Sequence, residues 1–168
     1  MIAPLLLMLG AALPSTPDLG VAEGQCRRAE QGPAFLVEVA GLKDRRGRLK
    51  LELYPANDQD FLADDNVLIN ADKVFRRVEL AVPATGRVEL CIRAPGPGLY
   101  ALSLLHDRDA NRKFGLSSDG IGFSGNPKLG WSKPKAATAS ARAGTGPTPI
   151  RILLNYRRGL MSVGPIGE

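Results

Sequence analysis

What most constrains this chain is a two-residue hydrophobic alternation that recurs in short runs, each cut off by glycine or proline. Phe35, Val37 and Val39 alternate with Leu36, Glu38 and Ala40 up to Gly41, and Leu49, Leu51 and Leu53 alternate with Lys50, Glu52 and Tyr54. Val78, Leu80 and Val82 stop at Pro83, and Val88, Leu90 and Ile92 follow a turn at Thr85-Gly86. After Pro95-Gly96-Pro97-Gly98 the run Leu99 to Leu105 is apolar on both faces, and Ile150, Ile152, Leu154 and Tyr156 form the last run. Successive side chains of a strand point to opposite faces, so each alternating run describes a strand with one inward face. The doubly apolar run describes a central strand covered on both sides. No helical period of useful length occurs. The expected fold is therefore all-β, an antiparallel β-sandwich of about seven strands. The runs on either side of Lys43 to Arg48 read as a hairpin. Asn57 to Asn70 reads as an acidic surface loop with room for one helical turn, and with Asp64 and Asp65 solvated. Pro127 to Pro149, rich in Ala, Gly, Ser, Thr and Pro, reads as a long mobile connection.

The chain has 168 residues, the size of one domain. Ile2 to Leu13 is apolar apart from Pro4 and Gly10, too short for a bilayer span and apt for a signal-peptide core. The small-x-small site Gly20-Val21-Ala22 would be cut before Glu23, and a competing cut lies nearer Ala12 to Ser15. The expected organisation is a signal peptide over 1–22, the sandwich over 23–158 and a loose tail over 159–168. The product is then periplasmic or extracellular and not an integral membrane protein. In an oxidising compartment an even cysteine count implies pairing, and Cys26 with Cys91 is the only pair available.

One histidine and two cysteines cannot furnish a zinc site made of those residues, so a metal here would sit on oxygen. The segment His106-Asp107-Arg108-Asp109-Ala110-Asn111 places the oxygens of Asp107, Asp109 and Asn111 at every second position, the spacing of a calcium loop. Arg112 stands where such a loop has glycine, and Ser118 where it has a bidentate glutamate. The alternative is a set of Asx-turns bonding the loop's own amides. His106 falls on the inward face of its strand, where the imidazole can anchor the loop through a backbone carbonyl.

A hydrolase would need His106 as base, Ser103 or Ser124 as nucleophile and Asp107 as orienter. Ser103 points to the opposite face, and Ser124 lies outside a Gly-x-Ser-x-Gly elbow, so the chain is not read as an enzyme. Gly120, Gly122 and Gly125 read as positions needing backbone freedom, around a corner plugged by Phe123 and tied by Ser124 or Asn126.

The full chain carries a net charge of +5, and loss of the leader removes Asp18 and no base. Lys43, Arg45, Arg46, Arg48 and Lys50 cluster in sequence, and Trp131 lies among Lys128, Lys133 and Lys135. The candidate partners are an anionic envelope polymer, lipid headgroups or a carbohydrate stacked on Trp131. Burial statistics favour instead an indole packed over the sandwich rim. Nucleic acid is not expected, because aromatics are only 5% and no motif interleaves them with basic residues.

Four segments together, Gly98-Leu99-Tyr100-Ala101, His106-Asp107-x-Asp109-x-Asn111, Gly120-Ile121-Gly122-Phe123-Ser124-x-Asn126 and Leu154-Asn155-Tyr156, resemble the core of a bacterial exported family known as domain of unknown function 2141. The resemblance runs from about Phe35 to Tyr156. It implies an immunoglobulin-like or transthyretin-like sandwich and no established activity or ligand. Ala110, Arg112 and Gly115 depart from the family's glycine-rich acidic loop, which weakens any inherited metal site.

Overall fold

The computed structural model describes residues 17–167. Its elements are α1 (Val21–Gly24), β1 (Ala34–Ala40), β2 (Arg48–Pro55), α2 (Asp65–Asn70), β3 (Arg76–Ala81), β4 (Glu89–Arg93) and β5 (Gly98–Asp107), then β6 (Gly120–Phe123), β7 (Ser140–Ala143), β8 (Pro147–Leu153), β9 (Asn155–Arg158) and β10 (Ser162–Gly164). The smaller sheet runs β4-β1-β8, and the larger runs β10-β9-β6-β5-β2-β3, with β7 also on β5. Every pairing is antiparallel except β1 with β8, which is parallel.

The sheets share one core. Phe35, Val37, Leu90, Ile92 and Ile152 from the smaller sheet meet Leu49, Leu51, Leu53, Leu102, Leu104 and Tyr156 from the larger, all buried. Each such aliphatic side chain contributes roughly 1.5–3 kcal/mol by leaving water. The alternation in β1 and β2 is thus the inner face of each sheet, as expected. The hairpin between them is not formed: β1 pairs β4 and β8, whereas β2 pairs β3 and β5. Alternation fixes which face is buried and is silent on the neighbour, and the connection after Gly41 is long enough to cross from one sheet to the other.

The last run also divides. Leu154 donates its amide to Ala40 O, and the chain leaves β8 in the smaller sheet for β9 in the larger. Gly159 onward was expected as a loose tail, yet β10 pairs with β9 inside that stretch.

The expectation that Leu99 to Leu105 is covered on both sides holds from Ala101 onward, whereas Leu99 is 47% exposed and Tyr100 half-buried. A second core lies on the outer face of the larger sheet, where Tyr54, Ala101 and Phe123 meet Phe61, Leu68, Phe75, Ala136 and Ala139. The cover comes from two segments read as surface loops. Residues 56–75 fold back with α2, capped by Asp64, whose side chain accepts from Asn66 N. Residues 125–138 make an excursion between β6 and β7 whose ends are held together where Ser124 Oγ donates to Ala139 O at 2.5 Å. Rather than a mobile connection, Pro127 to Pro149 contains a 3-10 turn, Ala136–Ala139, followed by β7 and the start of β8.

Cys26 and Cys91 form a disulfide with a sequence separation of 65, pinning the segment after α1 to β4. The leader expected over 1–22 lies outside the described residues up to residue 16. Its last part, from Pro17, is described and packs on β3: Gly20 O accepts from Arg77 N, and Pro17 O accepts from the Arg77 guanidinium. The Gly20-Val21-Ala22 motif runs into α1.

Candidate functional site: a cleft on the outer face of the larger sheet

Next to the second core, the outer face of the larger sheet opens into a cleft of about 410 Å³. That lies within the range of small-molecule sites, roughly 300–1,000 Å³. Its floor is the outward register of four strands: Lys50 and Glu52 from β2, Ser103 and Leu105 from β5, Ile121 and Phe123 from β6, and Val163 from β10. The walls are Leu62, then Phe114 and Leu116 from the loop after β5, then Leu129 to Pro134 of the excursion.

Trp131 stands at the rim and is 65% exposed, so it does not pack down as burial statistics favoured. Phe114, Leu116 and Leu62 are also exposed and border the same opening. The excursion carrying Trp131 is clipped in place: Lys133 Nζ donates to Asp58 O and Phe61 O at 3.0 and 2.9 Å, and Ala136 N donates to Asp58 Oδ1 at 2.7 Å.

The polar part of the floor belongs to a buried charge network. Arg77 donates to Glu52 Oε1 through Nε and NH2 at 2.9 and 2.8 Å, and to Asp65 Oδ2 at 3.0 Å. Tyr54 Oη donates to Glu52 Oε2 at 2.8 Å, and Lys50 Nζ lies 3.4 Å from Glu52 Oε1. Burial pushes the Tyr54 hydroxyl well above its ordinary value, and the Glu52 carboxylate adds to that. Burial opposes the charge on Arg77, and Glu52 and Asp65 more than offset it. Asp65 is thus a buried ion-pair partner, where the sequence reading had it solvated. Glu52 and Arg77 went unnoticed because both sit on the outward register of strands, which reads as solvent-facing unless a second cover is known.

The His106 to Asn111 segment lies elsewhere, at one end of the sandwich. His106 is fully buried, with Nδ1 2.7 Å from Tyr156 Oη and Nε2 2.8 Å from Arg46 O. A carbonyl only accepts, so Nε2 carries the proton and Nδ1 accepts from Tyr156, whose oxygen also takes Lys43 N at 3.1 Å. Burial holds the imidazole below its ordinary pKa and pushes Tyr156 up to about 12. Both ring nitrogens are committed to the fold. Ser103 faces the cleft, Ser124 is bound to Ala139 O, and Asp107 accepts Asn111 N and Arg112 N at 3.1 and 2.7 Å. The catalytic grouping weighed from sequence is not assembled around His106.

Of the three oxygens weighed for calcium, Asn111 Oδ1 accepts Lys113 N at 2.8 Å, while Asp109 accepts Asn111 N and the Asn111 side-chain amide. Asp119, whose carboxylate takes Arg108 N and Gly115 N, joins Asp107 and Asp109 instead. One oxygen from each of these three carboxylates lies within 4.8 Å of the others.

Among the described residues no helix is long and apolar enough to cross a membrane. Comparison with curated proteins and with solved structures finds no match for the chain. A family model does match over residues 37–151, from β1 into β8 and thus across both sheets, the His-Asp segment and the cleft floor of β2, β5 and β6. The chain belongs to the family described as an uncharacterized protein conserved in bacteria, DUF2141.

Proposed function

We propose that the protein is a non-catalytic binding module of the cell envelope, whose outer-face cleft holds the apolar body of a small amphipathic ligand. The observation that carries this reading is the cleft itself, rimmed by exposed Trp131, Phe114 and Leu116 on a rigid sheet floor. Loops presented by a rigid scaffold are a common way to build a recognition site. An apolar ligand is favoured over a sugar because the floor's charged groups pair within the protein: Lys50 with Glu52, and Glu52 with Arg77 and Tyr54. Placement outside the cytoplasm is supported by the disulfide. A leader cut nearer Ala12 to Ser15 would keep the Gly20 and Pro17 contacts to Arg77.

The chain has a single tryptophan, so Trp131 emission reports on the cleft directly. Titration with laurate below its micelle concentration, or with anilinonaphthalene sulfonate, should give a saturable blue shift that Ile121→Glu abolishes. The reading falls if neither probe gives saturation, or if Ile121→Glu leaves the shift unchanged.

A second reading rests on the convergence of Asp107, Asp109 and Asp119: these carboxylates hold calcium and rigidify the loop that forms one wall of the cleft. Millimolar calcium should then raise the melting temperature of the protein but not of Asp109→Ala, with magnesium weaker. An unchanged melting temperature would overturn it.

A further inference from the structure

One end of the sandwich combines unbalanced positive charge with the two most exposed large apolar side chains among the described residues. Arg48 of β2 lies opposite Asp107 of β5, His106 opposite Gly120 of β6, and Gly120 opposite Tyr156 of β9. The connection after β1, the loop after β5 and the β9–β10 turn are therefore neighbours at this end. They expose Lys43, Arg45, Arg46, Lys113, Arg157 and Arg158.

The acids present are mostly engaged. Asp44 binds Arg108, Glu79 lies between Arg48 and Arg112, and Asp107 and Asp119 are buried against backbone amides. Asp109 is the exposed one, tied to Asn111. Arg45 donates to Pro83 O and Gly86 O, and Arg157 to Gly159 O. Carbonyls orient a guanidinium without cancelling its charge.

At the β9–β10 turn, Leu160 is 81% exposed and Met161 77%. The turn is built to hold them out: Gly159 takes a φ of 67°, and Ser162 Oγ donates to Arg158 O at 2.6 Å. A protein partner would need about 800 Å² of complementary surface per side. Two apolar side chains on a narrow hairpin, with arginines directly behind them, match a different surface. On a bilayer surface their tips would reach the acyl boundary while the guanidinium groups stayed level with lipid phosphates.

We propose that this end of the molecule docks on an anionic lipid bilayer, with Leu160 and Met161 entering between headgroups and Arg157 and Arg158 engaging the phosphates. The surface adjoins the cleft, since the loop after β5 and β10 contribute to both, but Arg157, Arg158, Leu160 and Met161 are not among the cleft's lining residues and the proposal does not depend on the ligand reading.

The test uses the full chain, purified in the form the cell leaves it, sedimented with vesicles of phosphatidylcholine alone or mixed equally with phosphatidylglycerol. The wild type should bind the mixed vesicles, more weakly as salt rises, and not the neutral ones. Arg157→Gln with Arg158→Gln should weaken partitioning about thirtyfold. Leu160→Ser with Met161→Ser should weaken it about tenfold, both at an unchanged melting temperature. Absence of binding to mixed vesicles, equal binding to neutral ones, or equal binding by wild type and both double variants would overturn the proposal. So would retention on heparin without vesicle binding, which would assign the charge to an acidic polymer.

Discussion

His106 shows how a single side chain can lock three segments. Its two nitrogens tie β5 to the β1–β2 connection and to β9, and Tyr156 passes the link on to Lys43 N. The neutral imidazole is held below its ordinary value of 6.5 by burial. Below that pH the unfolded chain takes up a proton that the native state resists, so stability falls as pH drops until the folded value is reached. The urea midpoint should therefore decline between about pH 7 and pH 5, and His106→Gln should flatten that decline. Tyr156→Phe removes the hydroxyl and leaves Lys43 N without its acceptor, at a cost of roughly 1–3 kcal/mol in urea unfolding. The carbonyl anchor for His106 could be read from its place at the inward end of an apolar run. Tyr156 could not, because the two are neighbours only through β6.

At the scale of elements, the glycines of β6 act by closeness rather than backbone freedom. Neither Gly120 nor Gly122 has a positive φ, whereas Gly125 does. A Cβ on Gly120 would lie 2.3 Å from the Tyr156 ring, and one on Gly122 would lie 2.7 Å from Leu153 O. Gly120→Ala should thus displace Tyr156 and cost roughly 1–3 kcal/mol in thermal or urea unfolding, while Gly86→Ala, which meets nothing within 4 Å, tests φ strain alone. The strands of long alternating runs were legible because a sheet facing a core writes its period into the sequence. Their partners were not: β1 and β2 look like a hairpin and belong to different sheets. The cleft was legible only as Trp131 among lysines, because its floor residues Glu52, Ser103 and Ile121 become a site only once the 125–138 excursion covers part of the sheet.

For the molecule as a whole, the Cys26–Cys91 bridge is the covalent tie between the segment after α1 and the smaller sheet. Closing a loop of separation 65 is worth about 4 kcal/mol in the chain-entropy model. Reductant should lower the melting temperature by about 10 °C, and the Cys26→Ser, Cys91→Ser protein should match the reduced form and ignore reductant. The smaller sheet has a further dependence. One edge of β1 is filled only by β8, in parallel, so Ala34 meets Pro147 and Ala40 meets Leu153. Until synthesis reaches that strand, the first strand offers a bare ladder of amides and carbonyls. A nascent or truncated polypeptide that lacks β8 therefore carries an open strand edge, to which a second copy can add by backbone pairing.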